Sequence, residues 1–316
     1  MKKFAHFIVH NSMAAYLAAL LCFCSWAIHT FTNGYAAIGM LTTFVIYGGM
    51  SILTVRTNDI YGRGASSTTL PATFFLLACS LLPTLATHLV HAVLFCILAC
   101  AFYLLLSTYR DRQAMGRYFL AFALIGCVAL NIPQLLWATP LLLLSCRVLQ
   151  SLHIRTCCAA LLGLLLPFWI AFAVLYLTDQ TGEIPLYTNK LLHHGTSLVT
   201  ESSTPLWQHP FMSFAWLLLL FLPGSVNVFS NKSLTQQSRG SHYFIMAATS
   251  SILLLVGIYP TLYQSFYPLL VLMIALIGST LFANHLTRGK RIYLLVVIVM
   301  WILLISSKLW MPYLTY

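Results

Sequence analysis

Long apolar runs separated by short polar stretches fill this chain of 316 residues. Most of the runs come close to the roughly 20 residues that an α-helix needs to cross about 30 Å of hydrocarbon. Eleven runs can be marked, at 13–31, 35–55, 69–86, 90–109, 118–132, 134–150, 157–177, 211–229, 243–260, 267–284 and 292–308. The pattern therefore predicts an all-α, polytopic membrane bundle of about eleven transmembrane helices.

The fifth and sixth runs are the exceptions, because the fifth is short and this part of the chain is broken by Pro133, between the two runs, and by Pro140, within the sixth. Two alternatives fit residues 118–150: two thin spans, or one re-entrant hairpin that enters and leaves the membrane on the same side. The chain then has eleven spans or nine. In both cases it returns to the side from which it came, so the rest of the topology is unchanged.

The composition agrees with a membrane location. Hydrophobic residues make up 60% of the chain and charged residues only 7%, whereas about a quarter of the residues in soluble domains are charged. Lys2 and Lys3 precede the first run, which is too long for a signal-peptide core and has no cleavage site after it, so we expect a retained first span. No linker is evident, and residues 1–316 are predicted to form a single integral membrane domain.

The net charge of +11 comes from sixteen Lys and Arg residues that are spread over short loops and form no basic stripe. This distribution argues against a nucleic-acid partner. Lys and Arg are held on the cytoplasmic side during insertion, and with the N-terminus inside only Lys190 and Lys308 fall outside. The other fourteen are Lys2, Lys3, Arg56, Arg63, Arg110, Arg112, Arg117, Arg147, Arg155, Lys232, Arg239, Arg288, Lys290 and Arg291. We therefore predict an N-terminus inside, a C-terminus outside and contact of the inner residues with anionic lipid.

The longest polar interruption, residues 178–210, falls on the predicted outer side. It holds three of the five acidic residues of the chain, Asp179, Glu183 and Glu201. Carboxylates beside imidazoles can act as a general base, or can bind a divalent metal that bridges a phosphate. We predict these three carboxylates as candidate catalytic residues. The alternative is a solvated loop that is polar only because of its location.

Candidate substrate-binding residues lie on the same loop, namely Tyr187, Lys190, His193, His194, Trp207 and His209. The two aromatic side chains could stack on a sugar, or could lie in the lipid headgroup layer where Trp and Tyr are common. The two adjacent histidines lack the i, i+4 spacing that places two metal ligands on one helix face. We therefore assign no metal ligands, and the cofactor stays unknown.

Other polar and reactive residues lie in or beside the apolar runs. None of the nine cysteines falls in the long loop, so no disulfide framework is predicted. His29, His88 and His91 are expected at the outer ends of the first, third and fourth spans, either as a ligand set or as hydrogen-bonded interfacial imidazoles. The centres of the spans contain no Asp, Glu, Lys or Arg, which ion-coupled transporters usually carry.

Residues 56–177 carry a characteristic pattern of hydrophobic, glycine and proline positions. Its members are Thr69, Leu70, Pro71, Phe74, Phe75, Leu82, Pro83, Arg117, Gly126, Leu130, Pro133, Arg155, Gly163 and Pro167. The pattern resembles an uncharacterised family of bacterial polytopic inner-membrane proteins of about this length. It is also similar, more weakly, to GT-C glycosyltransferases, which implies a polyprenyl-linked sugar donor used at the outer face. Those enzymes typically carry an acid in the first outward loop, here residues 29–34, which has none, so the resemblance assigns no catalytic residue.

The leading functional prediction is a protein of envelope biogenesis in a bacterial inner membrane. It would handle a lipid-linked or hydrophobic substrate at the outer leaflet, and a GT-C-like transferase is one form of this prediction. The alternatives are a non-enzymatic subunit of a membrane complex and a transporter or flippase. The expected partners are membrane lipid and either a polyprenyl-linked substrate or a membrane protein, and whether the protein is an enzyme stays open.

Overall fold

The computed structural model describes residues 11, 13–61, 69–111, 113–179, 210–230, 235–259, 262–283 and 288–314. These residues form eleven α-helices, and they include no β-strand. Seven of the helices are long and apolar enough to cross a membrane. The prediction of an all-α, multi-pass membrane bundle is therefore confirmed.

The helices follow the predicted apolar runs one for one. They are α1 (Met13–Thr32), α2 (Ala37–Tyr61), α3 (Leu70–Ser80), α4 (Leu89–Leu106), α5 (Met115–Asn131), α6 (Leu135–Ser145), α7 (Ile154–Leu177), α8 (Pro210–Ser230), α9 (Gln236–Ile258), α10 (Tyr263–Ala283) and α11 (Arg288–Leu314). The third and sixth runs are not continuous α-helices. Each ends in a 3₁₀ turn, at Pro83–Thr87 after α3 and at Cys146–Leu149 after α6.

The chain divides into two compact units. The first unit comprises Met1–Val93, Glu201–Arg239 and Leu270–Tyr316, and the second comprises Leu94–Thr200 and Gly240–Leu269. Helices α4, α9 and α10 each have residues in both units. The single integral membrane domain over residues 1–316 stays a prediction.

In the first unit, α1 and α3 run parallel. The hydroxyl oxygen of Thr69 lies 3.5 Å from the carbonyl oxygen of Asn11 at the start of both helices. Farther along, Ser25 Oγ donates to the carbonyl of Ser80 at 3.0 Å and Trp26 Nε1 donates to that of Cys79 at 3.2 Å. Parallel α1 and α3 are what the predicted topology requires, since α2 returns the chain between them.

Helix α3 ends inside the first unit and has every residue buried. Its eleven residues span about 16 Å, roughly half of a 30 Å hydrocarbon layer. Pro83 ends the α-helical hydrogen bonding, because it has no N–H and disfavours helical backbone at Leu82, which adopts φ −123°. The 3₁₀ turn that follows packs against both α1 and α2.

In the second unit, the main packing is between α5 and α7, where two glycines allow the backbones to touch. A Cβ atom on Gly126 would lie 2.7 Å from the carbonyl oxygen of Leu164 and 3.0 Å from Pro167 Cγ. A Cβ atom on Gly163 would overlap the carbonyl group of Phe119. Small residues at such contacts are how helices approach closely in membranes, so helix packing explains these positions of the predicted family pattern.

The chain returns across residues 118–150, as predicted. The backbone N–H of Arg110, ahead of α5, donates to the carbonyl of Leu149 at 3.0 Å. The Arg110 side chain also donates to Gln150 Oε1 at 3.0 Å. The end of the 3₁₀ turn after α6 is therefore level with the residues that precede α5. Both alternatives for residues 118–150, two thin spans and a re-entrant hairpin, require this return of the chain to its starting side.

Candidate functional site

Asp179 is the one predicted catalytic residue that falls among the described residues. It follows the end of α7, is exposed and has a positive φ of 54°. Its backbone N–H donates to the carbonyl of Tyr176 at 3.3 Å, as in left-handed helix ends, where Asp is tolerated better than most residues. The remaining predicted site residues lie outside the described residues: Glu183, Glu201, Tyr187, Lys190, His193, His194, Trp207 and His209.

A groove in the second unit lies between α6 and α9, and we call it the α6–α9 groove. Its volume is about 270 Å³. Helix α6 contributes Trp137, Ala138 and Leu141. Helix α9 and the residue after it contribute Ser251, Leu254, Leu255, Ile258 and Tyr259. The walls are therefore mostly hydrocarbon.

The groove opens away from the protein interior. The exposed fractions are 56% for Trp137, 54% for Leu254 and 57% for Ile258. A contiguous apolar surface of this kind marks an interaction site in a soluble protein, but in a membrane-spanning helix it faces lipid. The volume of about 270 Å³ and the mostly apolar walls suit a segment of a hydrocarbon chain.

Aromatic residues border the groove at the ends of both helices. Trp137 is in the first turn of α6 and Tyr259 directly follows α9. The predicted topology places both of these ends on the outer side, because the flanking residues 132–134 and 260–262 contain no Lys or Arg. Trp and Tyr are typical of that level, where one part of the ring is apolar and another is polar.

A second site of interest is at the end of α1 in the first unit. Three buried polar atoms there have no hydrogen-bond partner: His29 Nδ1, Thr30 Oγ1 and Thr84 Oγ1. Trp26 is level with Cys79, so the next turn of α1, at Thr30, comes alongside the 3₁₀ turn Pro83–Thr87, which packs against α1.

The predicted histidine cluster is only partly present. The rings of His88 and His91 are 5.3 Å apart, while His29 stacks on Tyr35 with ring centroids 6.1 Å apart. All three histidines are described residues, and they do not form a group that could hold a metal ion. The alternative of a three-histidine ligand set is therefore wrong.

A buried hydroxyl network lies in the second unit. Tyr118 OH and Ser151 Oγ are 2.8 Å apart, and Ser151 Oγ and Thr108 Oγ1 are 3.2 Å apart. Beside it, Arg117 donates to the carbonyl of Ser107 at 2.7 Å and pairs with Asp111 at 3.5 Å. Because every member has a partner, this network fits a structural role that joins the end of α4 to the starts of α5 and α7.

A shallow cavity of about 540 Å³ lies beside α8 and α10 in the first unit. Its wall follows the part of α8 that contains Pro223, from Leu222 to Ser230, and includes Leu281 of α10. Asn227 in this wall donates to the carbonyl of Thr280 at 3.0 Å, and Ser225 and Ser230 donate to carbonyls of their own helix. The polar side chains of the cavity are therefore already bonded.

Sequence reasoning did not identify Trp137, Tyr259, Thr30 or Thr84. Each lies in or beside an apolar run and looks like an ordinary membrane residue. A partial signal existed for Trp137, which lies between Pro133 and Pro140 in a run too irregular for a simple span. Comparison of the chain with family models, curated proteins and solved structures found no match.

Proposed function

We propose that this protein handles a lipid-linked or hydrophobic substrate at the outer leaflet of a bacterial inner membrane. The observation that carries the proposal is the α6–α9 groove, an open and mostly apolar depression whose lining includes Trp137 and Tyr259. The hydrocarbon chain of the substrate would lie along Leu254 and Ile258. Its polar end would emerge beside the two aromatic side chains, at the predicted outer interface.

Shape supports a chain as the occupant. Within a bilayer, burying apolar surface against protein brings little hydrophobic gain, because lipid tails are equally apolar, so association depends on close van der Waals packing. A concave surface contacts one chain on more sides than the flat face of a helix does. The groove would therefore hold one bound chain in preference to bulk lipid.

A transferase is the enzymatic form of this proposal. It requires a carboxylate on the outer side as general base or metal ligand. Asp179 is exposed at the end of α7 and belongs to the same unit as the groove, and Glu183 and Glu201 are the other candidates. We expect an alanine at one of these three positions to abolish turnover of the lipid substrate without reducing insertion. Three silent substitutions would remove the transferase form.

The first experiment is native mass spectrometry of protein purified gently from its own membrane, with bound lipids and proteins identified. Leu254→Trp fills the groove from its exposed wall, and Leu162→Trp, at a lipid-facing position of α7 with 63% exposure, is the matched control. We expect one lipid species bound stoichiometrically to the wild type and to Leu162→Trp, and its loss in Leu254→Trp.

Two results would contradict the proposal. The first is equal retention of the same lipid by Leu254→Trp, which would place that lipid elsewhere. The second is a wild-type protein that carries only bulk phospholipid. If a stoichiometric protein partner accompanies bulk phospholipid, the alternative of a non-enzymatic subunit is favoured.

One observation favours a transporter or flippase as a second candidate function. Helix α3 is long enough to cover only about half of a hydrocarbon layer, and broken helices near the midplane are typical of transporter binding sites. However, the carbonyls of Leu77, Cys79 and Ser80 at this break already accept hydrogen bonds from side chains, so they are not free to coordinate an ion. Reconstituted vesicles that move no lipid or solute on a gradient would eliminate this candidate.

A further inference from the structure

Four exposed arginines lie at one end of the second unit, the end that the predicted topology places on the inner side. Arg110 follows α4, and Arg117 is in the first turn of α5. Arg147 is in the 3₁₀ turn after α6, and Arg155 is in the first turn of α7. We call the surface that carries these four residues the inner arginine face.

Hydrogen bonds hold the four segments of this face at one level. The backbone N–H of Arg110 donates to the carbonyl of Leu149 at 3.0 Å. Ser151 lies between the 3₁₀ turn and α7, and its hydroxyl is 3.2 Å from that of Thr108 and 2.8 Å from that of Tyr118. The end of α4, the start of α5, the end of the 3₁₀ turn and the start of α7 are therefore joined.

Two of the four guanidinium groups are directed back onto the protein. Arg110 donates through Nε to Gln150 Oε1 at 3.0 Å. Arg117 donates to the carbonyl of Ser107 at 2.7 Å and pairs with Asp111 at 3.5 Å. These two side chains therefore fasten the loops of the inner arginine face.

Arg147 and Arg155 differ, because neither side chain has a hydrogen bond or an ion pair with any described residue. The one acidic residue between positions 94 and 178 is Asp111, which already pairs with Arg117. A guanidinium group keeps its charge at any physiological pH and offers five N–H donors in a planar fork. The face thus presents two permanent positive charges whose donors the described residues do not use.

Apolar residues that face lipid flank both of these arginines. Leu144, one turn before Arg147, is 66% exposed, and Ile154, beside Arg155, is 83% exposed. Leu162, two turns farther along α7, is exposed as well. An arginine can lay its apolar stem along such a surface and extend its charged end to the headgroup layer. A negative group above hydrocarbon, as in a phospholipid, fits this arrangement better than a soluble anion does.

We propose that Arg147 and Arg155 bind the headgroup phosphates of anionic phospholipids in the inner leaflet. Guanidinium groups bind phosphate oxygens through two parallel N–H donors, and the negative charge of that leaflet attracts basic residues near its surface. Arg110 and Arg117 have a different role, since they hold the loops in place. The bias of Lys and Arg along the sequence treats all inner basic residues alike, whereas this inference separates two from the other two. It does not depend on the α6–α9 groove.

The test measures thermal unfolding of the full-length protein in a neutral detergent at physiological ionic strength, with increasing amounts of phosphatidylglycerol or of phosphatidylcholine. The variants are Arg147→Gln and Arg155→Gln, singly and together, because glutamine removes the charge and stays polar. Arg147→Lys and Arg155→Lys keep the charge. Arg110→Gln and Arg117→Gln are the matched controls, since they make the same change of charge on the same face.

We expect phosphatidylglycerol to raise the unfolding temperature of the wild type at lower concentrations than phosphatidylcholine does. Its half-saturating concentration should rise about fivefold in Arg147→Gln and in Arg155→Gln, and roughly 25-fold in the double variant. The lysine variants should lose less, because the charge is retained. The two controls should keep the half-saturating concentration of the wild type, because the guanidinium groups that they remove are bonded within the protein.

Three results would overturn the proposal. Equal stabilisation by the two lipids would show that the protein does not select negative charge. An unchanged half-saturating concentration in the double glutamine variant would leave both arginines for another partner, such as an acidic protein segment. An equal loss in all four single glutamine variants would make the net charge of the face responsible, rather than the two guanidinium groups that are not bonded.

Discussion

The hydroxyl group of Tyr293 on α11 donates a hydrogen bond to the carbonyl oxygen of Leu219 on α8. In an unbroken helix that carbonyl would bond to the backbone N–H of residue 223, but residue 223 is proline and has none. A carbonyl freed inside a membrane must find another donor, since water is absent. The same two helices are joined again where Trp216 Nε1 donates to the carbonyl of Val297 at 3.1 Å.

Replacing Tyr293 by phenylalanine should destabilise the first unit. The expected loss is about 0.6 to 1 kcal/mol, the usual size of a side-chain hydrogen bond inside a membrane, and unfolding by denaturant in mixed micelles would measure it. In a Pro223→Ala background the helix regains its N–H, so we expect a smaller loss. Tyr176→Phe, at an exposed position, is the control. Equal losses in both backgrounds would show that Tyr293 does not compensate for the proline.

Trp301 should also stabilise the first unit, because its Nε1 donates both to the carbonyl of Leu77 at 2.7 Å and to Ser80 Oγ at 3.1 Å. Trp301→Phe leaves the end of α3 with a buried carbonyl that has lost a strong donor. We expect a loss of about 1 to 3 kcal/mol in the free energy of unfolding. Trp169→Phe, on a side chain that is 68% exposed on α7, should be close to neutral. A neutral Trp301→Phe would show that α3 ends stably without this donor.

Gly163→Ala tests the contact between α5 and α7. The new methyl group would overlap the carbonyl of Phe119, a backbone group that cannot rotate away. Overpacking of this kind costs about 1 to 3 kcal/mol, and thermal unfolding would show it as a lower midpoint. Gly49→Ala is the control, because nothing lies within 4 Å of the new Cβ atom, and alanine favours a helix over glycine. Similar midpoints for both variants would contradict the close packing.

The helices could be predicted from the sequence, and Pro83 is a local signal for the end of α3, but the side chains that bond the carbonyls at this end could not be predicted. Leu81 and Leu82 continue the apolar pattern, so hydropathy marks residues 69–86 as one run. Hydropathy reports whether a residue tolerates lipid, and it does not report whether a backbone carbonyl has a donor. Here the donors are Trp26 and Trp301, which are 53 and 224 positions away from their acceptors. Only the folded structure brings them to the end of α3.

The candidate site residues also divide into those that the sequence identifies and those that only the folded structure brings to attention. Polarity was enough to select Asp179, since acidic residues are rare in this chain and three of the five lie in one loop. Trp137 and Thr30 lie within apolar runs, where aromatic and hydroxyl side chains are common. Their interest depends on neighbours distant in sequence: α9 beside Trp137, and the 3₁₀ turn beside α1 for Thr30. A single sequence contains no local signal for such pairings.

The direction of the chain across the membrane is the last prediction, and the proposed function depends on it. The bias of Lys and Arg places Asp179 outside and Ser230 inside. Alkaline phosphatase inserted after Asp179, with the whole chain retained, should therefore be active, and the same insertion after Ser230 should be inactive. A fluorescent protein that matures only in the cytoplasm should give the reverse pattern at both positions. If the phosphatase is active only after Ser230, then Trp137 and Tyr259 lie at the inner leaflet, and a substrate in the groove would be drawn from the cytoplasmic side.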